Sequence, residues 1–222
     1  KDPIYDVRVV LPLYSDIKTE YRRKMSFLGN IFVPLSWRNQ YCGIFSYEEN
    51  GVTFYFLDNE YYFKRPGCYG YYDDGERFAF FSRSVMEILP FIKFYPDVLH
   101  CHDWQAAAAI LYLKTIYCYR PEYQFIRALF TIHNIEYQGW ANPDFFDDVL
   151  ALPWGWRSTL DMNHCVNMMK GAIETADLVT TVSETYAREL MYPYYAHGLS
   201  ELLAARGEDF TGIVNGINMQ LF

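Results

Sequence analysis

The sequence predicts an α/β protein built on a doubly wound, mostly parallel, Rossmann-like sheet. In the later part of the chain, short apolar strands alternate with helical segments, which is the pattern of parallel β-α units. Earlier, β-type runs at 31–33, 43–47 and 52–57 lie close together, and a four-residue turn at 48–51 joins the last two. These runs predict an inserted antiparallel β-hairpin. No repeat or linker interrupts the chain, so we expect one domain over residues 1–222.

The individual elements follow from local patterns along the chain. A β-type run at 7–11 ends at Pro12. A helix is expected from apolar residues at helical spacing, and Pro90 should end or kink it; these residues are Phe78, Phe81, Val85, Ile88 and Ile92. Further strands are expected at 97–101, 128–132, 178–182 and 212–214, and further helices at 104–117 and 184–191.

One more helix is predicted after residue 157. Ser158-x-x-Asp161 is a variant of the capping box. An apolar stripe at helical spacing follows it, formed by Met162, Cys165, Val166, Met169, Ala172 and Ile173.

Charge and cysteine usage narrow the classes of function. The net charge of −8, with no long basic run, argues against a nucleic acid or an anionic membrane as partner. The five cysteines form no Cys-x-x-Cys pair, which indicates reduced thiols in a cytoplasmic protein. The longest apolar run, at 106–113, is too short to span a bilayer. We expect no cofactor and no metal, since neither a dinucleotide nor a P-loop motif occurs and a chain of this length needs no metal to hold a core.

Two segments carry polar and aromatic side chains directly after predicted strands. They are His-Cys-His-Asp-Trp-Gln at 100–105 and Thr-Ile-His-Asn-Ile-Glu-Tyr-Gln-Gly at 131–139. In an open parallel sheet, ligands bind at the carboxyl ends of the strands, so these segments are expected to line one crevice. Imidazole, amide, carboxylate and aromatic groups together suit a ligand with many hydroxyl groups, because each unpaired hydroxyl in a closed pocket costs about 1–3 kcal/mol.

Several of these residues also have purely structural interpretations. Asp103 lies between a strand and a helix, and spacing alone favours an N-cap over a catalytic carboxylate. A zinc site at His100 and His102 lacks further ligands at suitable spacing, so a packed or hydrogen-bonded histidine pair is favoured. The tyrosine-rich segment at 59–72 is as consistent with a packed loop as with a sugar platform. Asn215 and Gly216 could form a tight turn.

Taken together, the motifs resemble those of the bacterial glycogen synthase and plant starch synthase family. Besides 100–105 and 131–139, the matching segments are Asn-Glu-Tyr-Tyr-Phe-Lys-Arg-Pro-Gly-Cys-Tyr-Gly (59–70), Val-Thr-Thr-Val-Ser (179–183) and Gly-Ile-Val-Asn-Gly-Ile (212–217). The resemblance covers nearly the whole chain in the family's order. It implies the N-terminal, acceptor-side half of a GT-B fold, lacking the first β-loop-α unit and the C-terminal nucleotide-binding Rossmann domain, which should begin near Phe222.

The resemblance also implies an activity. Family members transfer glucose from ADP-glucose to the non-reducing end of an α-1,4-glucan, such as glycogen or a maltooligosaccharide, with retention at the anomeric carbon. The same hexosyltransferase activity is therefore expected of a complete protein carrying this domain, whereas the fragment alone should be inactive. The choice between ADP-glucose and UDP-glucose belongs to the missing domain.

Residue roles are carried over by matching positions. His133 and Asp103 are the expected catalytic residues, with His133 beside the transferred glucose and Asp103 lining the same pocket. The residues expected to shape the sugar site are Trp104, Asn134, Tyr137, Gln138 and Gly139. Those expected to approach the glucan are Tyr62, Phe63 and Tyr69. Asn215 is expected to contact the donor. Whether Tyr62 or Phe63 is the matching aromatic residue stays open.

Two other functions remain in competition with glucosyl transfer. One is a glucan-binding module without catalysis that uses the aromatic loop as its platform. The weaker one is a metal-dependent hydrolase built on His100 and His102.

Overall fold

The computed structural model describes residues 4–216, and it divides into two compact units, Lys1–Phe94 and Tyr95–Phe222. Each unit has its own four-stranded sheet. The expectation of one domain over 1–222 stays a prediction. Ile217 in the last family motif and the expected boundary at Phe222 lie outside the described residues.

The sheet of the first unit is mixed and has the strand order β1-β4-β3-β2. Its strands are β1 (Arg8–Pro12), β2 (Ser26–Leu35), β3 (Arg38–Glu49) and β4 (Val52–Asp58). Strands β2, β3 and β4 pair antiparallel, and β1 pairs parallel with β4. The predicted hairpin is therefore confirmed, but its turn is shorter than the four residues expected. Only Asn50 and Gly51 lie between the strands, with φ of 50° and 74°, which suits a tight hairpin turn.

The helices of the first unit are α1 (Thr19–Arg22), α2 (Glu60–Phe63) and α3 (Asp74–Ile92). The sequence predicted that Pro90 would end or kink α3. The helix does not end there, because it continues to Ile92. Pro90 lies in the last turn of α3, and backbone hydrogen bonds continue after it. The N–H groups of Lys93 and Phe94 donate to the carbonyls of Pro90 and Leu89.

The second unit contains the predicted parallel sheet, in the order β11-β10-β6-β5. Its strands are β5 (Val98–His102), β6 (Arg127–Ile132), β10 (Leu178–Thr181) and β11 (Phe210–Gly212), all paired parallel. The connecting helices are α4 (Asp103–Thr115), α6 (Met168–Thr175), α7 (Glu184–Glu189), α8 (Pro193–Ala196) and α9 (Ser200–Ala205). The α/β class with a mostly parallel sheet is confirmed, although β11 begins two residues before the expected strand at 212–214.

The helix predicted after residue 157 is interrupted. Residues 161–167 are not helical, whereas Met169, Ala172 and Ile173 of the predicted stripe do lie in α6. A short helix α5 (Arg157–Leu160) leads into strands β8 (Asp161–Met162) and β9 (Cys165–Asn167), which pair antiparallel. The turn between them has positive φ at Asn163 and His164, so the chain cannot continue as a helix there. The long helix α6 starts only after Asn167, whose side chain accepts from the Lys170 N–H.

Strand β9 also pairs with β7 (Trp140–Ala141), so β7, β9 and β8 form a small third sheet beside the strand ends. Among residues 4–216, no helix is long and apolar enough to cross a membrane.

Candidate active site at the strand ends

The carboxyl ends of three parallel strands bring the predicted site segments to one edge of the sheet. His102 at the end of β5 is paired in register with Thr131, and Ile132 at the end of β6 is paired with Thr181. Residues 103–105 and 133–139 therefore leave the sheet side by side. The two segments therefore lie at the same edge, which is where ligands bind in open α/β sheets, and the crevice between them stays a prediction.

Asp103 joins the two segments, but not as the predicted N-cap. It is the first residue of α4, the cap position belongs to His102, and no side-chain cap hydrogen bond is made. Its backbone is left-handed, with φ of 54°, an uncommon conformation that Asp tolerates better than most residues. Oδ1 of Asp103 accepts from the backbone N–H groups of His133 (2.7 Å) and Asn134 (3.3 Å). The carboxylate thus holds the loop after β6 in place.

Three histidines lie next to one another at this edge. The rings of His100 and His102 are 4.1 Å apart between centroids, as expected for alternate residues on one face of β5. His102 and His133 are joined by a hydrogen bond of 2.9 Å between Nδ1 and Nε2. The favoured interpretation of a packed or hydrogen-bonded pair for His100 and His102 is confirmed in its packed form, and the hydrogen bond to His133 is an addition that was not predicted. Within the described residues, no group of three or more His, Cys, Asp or Glu side chains could hold a metal ion.

A row of hydroxyl groups supports the cluster from inside the sheet. His100 Nε2 lies 2.6 Å from Oγ1 of Thr131, which lies 2.7 Å from Oγ1 of Thr180. Both threonines are buried. Sequence reasoning missed these threonines, and the signal available was their position near the carboxyl ends of β6 and β10, where they are paired in register.

The surroundings of the two histidines of β5 lower the pKa values of both side chains. Desolvation, followed by the charges of His102 and His133, lowers the pKa of His100 from 6.5 to about 4. The pKa of His102 is also lowered, chiefly by desolvation and next by His133, while the carboxylate of Asp103 opposes the shift.

The loop after β6 is held by local and distant hydrogen bonds. Oδ1 of Asn134 accepts from the Glu136 N–H at 3.0 Å, which closes a tight Asx turn. The Ile135 N–H donates to the hydroxyl of Tyr186 on α7, at 3.2 Å. Sequence reasoning did not single out Tyr186, because nothing in the local pattern connects it to this loop.

Gln138 does not present its amide to a ligand, contrary to the expected substrate contact. Its side chain is 2% exposed. Its Nε2 donates to the carbonyls of Ile135 and His197, and its Oε1 accepts from Asn167 Nδ2 at 2.6 Å. Gln138 therefore uses both ends of its amide to fasten the loop to the elements below it.

Gly139 allows a close approach between the loop and α4. Its φ is 69°, and a Cβ atom placed on it would lie 2.5 Å from Cε3 of Trp104. The indole of Trp104 thus packs directly against the loop backbone, which any side chain at position 139 would prevent. Gly139 therefore shapes the site because it has no side chain that would displace the indole.

The remaining predicted residues divide into exposed and buried ones. Tyr137 in the second unit has an exposed ring, and Asn215 is also exposed. In the first unit, the side chains of Tyr62 and Phe63 are 0% exposed, whereas Tyr69 is 69% exposed. The expectation that Tyr62 or Phe63 presents a ring to a glucan is not met in this conformation, because both rings pack in the core of that unit.

An α/β sheet with imidazole, carboxylate and amide groups at its strand ends is an arrangement suited to sugars, and the relatives of the chain are glycosyltransferases. The chain belongs to the starch synthase catalytic domain family, whose profile matches residues 3–205. The resemblance first noticed in the motifs is thereby confirmed.

Curated relatives of the chain include bacterial glycogen synthases. The chain is 46% identical over 219 residues to the glycogen synthase of Geobacillus thermodenitrificans, covering 98% of this chain and 45% of the relative. It is 46% identical over 220 residues to the glycogen synthase of Desulforamulus reducens, again covering 98% and 46%. The chain thus spans about half the length of the curated relatives it matches.

A solved structure gives the same result for the fold. The catalytic domain of starch synthase IV from Arabidopsis thaliana, bound to ADP and acarbose, superposes with a TM-score of 0.87 at 30% identity. The match covers 97% of this chain and 45% of that one. The fold is therefore the N-terminal half of a GT-B glycosyltransferase fold.

Proposed function

We propose that this chain forms the acceptor-side part of a retaining glucosyltransferase, which transfers glucose from ADP-glucose to the non-reducing end of an α-1,4-glucan. The observation that carries the proposal is the cluster of His102, Asp103 and His133 at the strand ends. Support comes from the family and from the ADP and acarbose bound to the related starch synthase. The C-terminal Rossmann domain of the family would supply the nucleotide site.

In this proposal His133 holds the transferred glucose. Its side chain is exposed at the edge of the sheet, and its backbone is fixed through the N–H bond to Asp103. Imidazole and carbonyl groups placed in advance can stabilise positive character developing at the anomeric carbon, without reorganisation during the reaction.

Asp103 has two roles in the proposal. Oδ1 is engaged by the backbone of His133 and Asn134, and within the described residues Oδ2 has no hydrogen-bond partner. Oδ2 is therefore the atom we assign to a sugar hydroxyl.

The surrounding residues are assigned more briefly. Trp104, Asn134, Tyr137 and Gly139 shape the sugar site, Asn215 contacts the donor, and Gln138 supports the loop from below rather than touching the sugar. The cytoplasmic location inferred from cysteine usage remains a prediction.

The test is glucose incorporation into glycogen by the complete polypeptide that carries this sequence, with ADP-glucose and UDP-glucose in parallel and residues 1–222 as a second sample. We expect incorporation from ADP-glucose by the complete polypeptide and none by residues 1–222. A folded, complete polypeptide that uses neither donor would refute the proposal.

A glucan-binding module is the second candidate, and the exposure of Tyr61, Tyr69 and Tyr72 on one loop favours it. It predicts that residues 1–222 bind maltooligosaccharides and that binding survives His133→Ala but is lost in Tyr69→Ala. Tyr69 is the suitable test position, since truncating buried Tyr62 would damage the core.

A further inference from the structure

His133 is held at two points by two consecutive residues. Asp103 Oδ1 accepts from its backbone N–H at 2.7 Å, and His102 Nδ1 bonds its ring nitrogen Nε2 at 2.9 Å. The left-handed backbone of Asp103 turns the chain sharply after His102. The corner between β5 and α4 therefore places one group on the backbone of His133 and another on its imidazole.

The bond between the two rings couples the tautomer of His133 to that of His102, and two arrangements satisfy it. In a neutral imidazole one nitrogen donates and the other accepts. A bond between Nδ1 of His102 and Nε2 of His133 thus requires a proton on one of these two atoms only. If Nε2 of His133 carries it, its Nδ1 is left as an acceptor; if not, its Nδ1 is a donor.

His102 is itself held in place. Its ring lies against the ring of His100, with centroids 4.1 Å apart. His100 is bonded at 2.6 Å to Thr131, which is buried and bonded to Thr180. The support of His102 thus extends into the interior of the sheet, while His133 lies at its exposed edge.

We propose that His102 is a positioning residue that fixes the tautomer and ring orientation of His133, so that His133 meets the sugar with one defined ring nitrogen. The inference rests on the proposed function for its consequence in catalysis, but not for the tautomer itself. Partners of this kind behind a functional histidine typically contribute about 10–100-fold to activity in metal sites, where they have been measured.

Two substitutions separate positioning from packing. His102→Phe keeps a ring against His100 and removes the hydrogen bond. His102→Asn loses the ring but retains a polar atom close to the position of Nδ1. A packing role favours the Phe variant, whereas a positioning role favours the Asn variant. His197→Asn serves as the control for removing an exposed histidine of the same unit, at a position where Asn tolerates the left-handed backbone.

The experiment is long-range ¹H–¹⁵N spectroscopy of the histidine rings at neutral pH on residues 1–222, with His133 assigned by the loss of its signals in His133→Gln. We expect one protonated and one unprotonated ring nitrogen for His133 in the wild type, His102→Asn and His197→Asn. In His102→Phe both nitrogens should move to exchange-averaged positions. An averaged wild-type ring, or an unchanged ring in a folded His102→Phe, would overturn the proposal.

Glucosyl transfer by the complete polypeptide provides the second readout. We expect kcat of His102→Phe to fall by about 10-fold, with little change in KM for the donor, and His102→Asn to recover it. A changed tautomer with unchanged kcat overturns the role of His102 in the reaction. If the wild type transfers no glucose, the proposed function fails while the tautomer measurement still decides the assignment of His102.

Discussion

The aromatic loop at 59–72 in the first unit and the strand-end histidine cluster in the second unit were both predicted to contact sugar, yet they are built differently. In the loop, Tyr62 and Phe63 enter the core, and Tyr62 donates a hydrogen bond of 2.5 Å to Glu76. At the strand ends, His133 and Asn134 remain exposed, and the sheet beneath them is buried. Two of the predicted sugar contacts of the loop are thus buried, whereas His133 and Asn134 at the strand ends are exposed.

The difference teaches how each region keeps its shape. Apart from the short helix α2, the loop has no strand or helix, and it depends on a buried cation, Arg77. Arg77 donates to the Tyr62 carbonyl, to Asp74 and to the Cys68 carbonyl. The strand ends depend on the sheet and on backbone N–H bonds to Asp103. Truncating Arg77 should therefore destabilise the protein, whereas truncating His133 should lower activity with little effect on stability.

The largest effect is expected for Arg77→Ala. Arg77 is 0% exposed, and its loss leaves Asp74 and two carbonyls without their partner. We expect the free energy of unfolding to fall by about 3–5 kcal/mol, the range for breaking a buried ion pair. Urea unfolding checks this, with the exposed Arg23→Ala as a matched control that should change stability by less than about 0.5 kcal/mol. Equal effects of the two variants would show that the loop does not depend on its cation.

His133→Ala should do the reverse, with a large effect on turnover and little on stability. Its ring is exposed, and the bond to Asp103 comes from the backbone, which alanine retains. We expect kcat of the complete polypeptide to fall by about 10²–10³-fold. His164→Asn, in the turn between β8 and β9, is the control for loss of an exposed histidine and should keep normal turnover. Near-normal turnover of a folded His133→Ala would remove this residue from the proposed mechanism.

Gly139→Ala tests the contact between the loop after β6 and Trp104. Both the left-handed backbone and the 2.5 Å approach to the indole oppose a side chain here, so we expect a loss of about 3 kcal/mol in the free energy of unfolding. Gly207→Ala has a similar φ of 54° but no atom within 4 Å of its Cβ, and should lose only about 1 kcal/mol. Near-ultraviolet circular dichroism would report displacement of Trp104. Equal losses in the two variants would mean that Trp104 moves aside without lowering the free energy of unfolding.

A further effect expected is a pH dependence of stability from His100. Its pKa is about 4 in the folded protein and 6.5 for the free side chain, so the unfolded chain binds the extra proton between these values. The free energy of unfolding should therefore be independent of this group above about 6.5 and fall as the pH is lowered from 6.5 towards 4. His100→Gln, which can still bond Thr131, should give a shallower slope in urea unfolding over this range. Parallel curves for the wild type and the variant would contradict the assignment.

Most of the fold could be predicted because it depends on local periodicity. Each strand of the parallel sheet is a short apolar run and was found within two residues of its bounds, whereas the hairpin strands β2 and β3 begin five residues before the predicted runs. The helix predicted after residue 157 was wrong for residues 161–167. Apolar residues three and four apart also occur when two short strands and a helix follow one another. Only the positive φ of Asn163 and His164 distinguishes these cases, and neither residue signals it strongly.

The candidate site was predicted in its location but not in its connections. The strand-end positions of His133, Asn134 and Asp103 follow from the order of strands and motifs. The bond from the Ile135 N–H to Tyr186 and the bond from Asn167 to Gln138 join residues 51 and 29 positions apart, which no local pattern can reveal. Gln138 was accordingly assigned to the ligand when its amide is engaged within the protein.

The sequence by itself determined the α/β class, the family and the edge of the sheet at which the polar groups collect. These properties depend on strand periodicity and on short ordered motifs, which are properties of neighbouring residues. Only the tertiary structure decided that Tyr62 and Phe63 are core residues, that Asp103 holds a backbone loop instead of capping its helix, and that His102 bonds His133. Each of these depends on which distant group lies within about 3 Å of a side chain, and hydrogen bonding and burial are set by that distance.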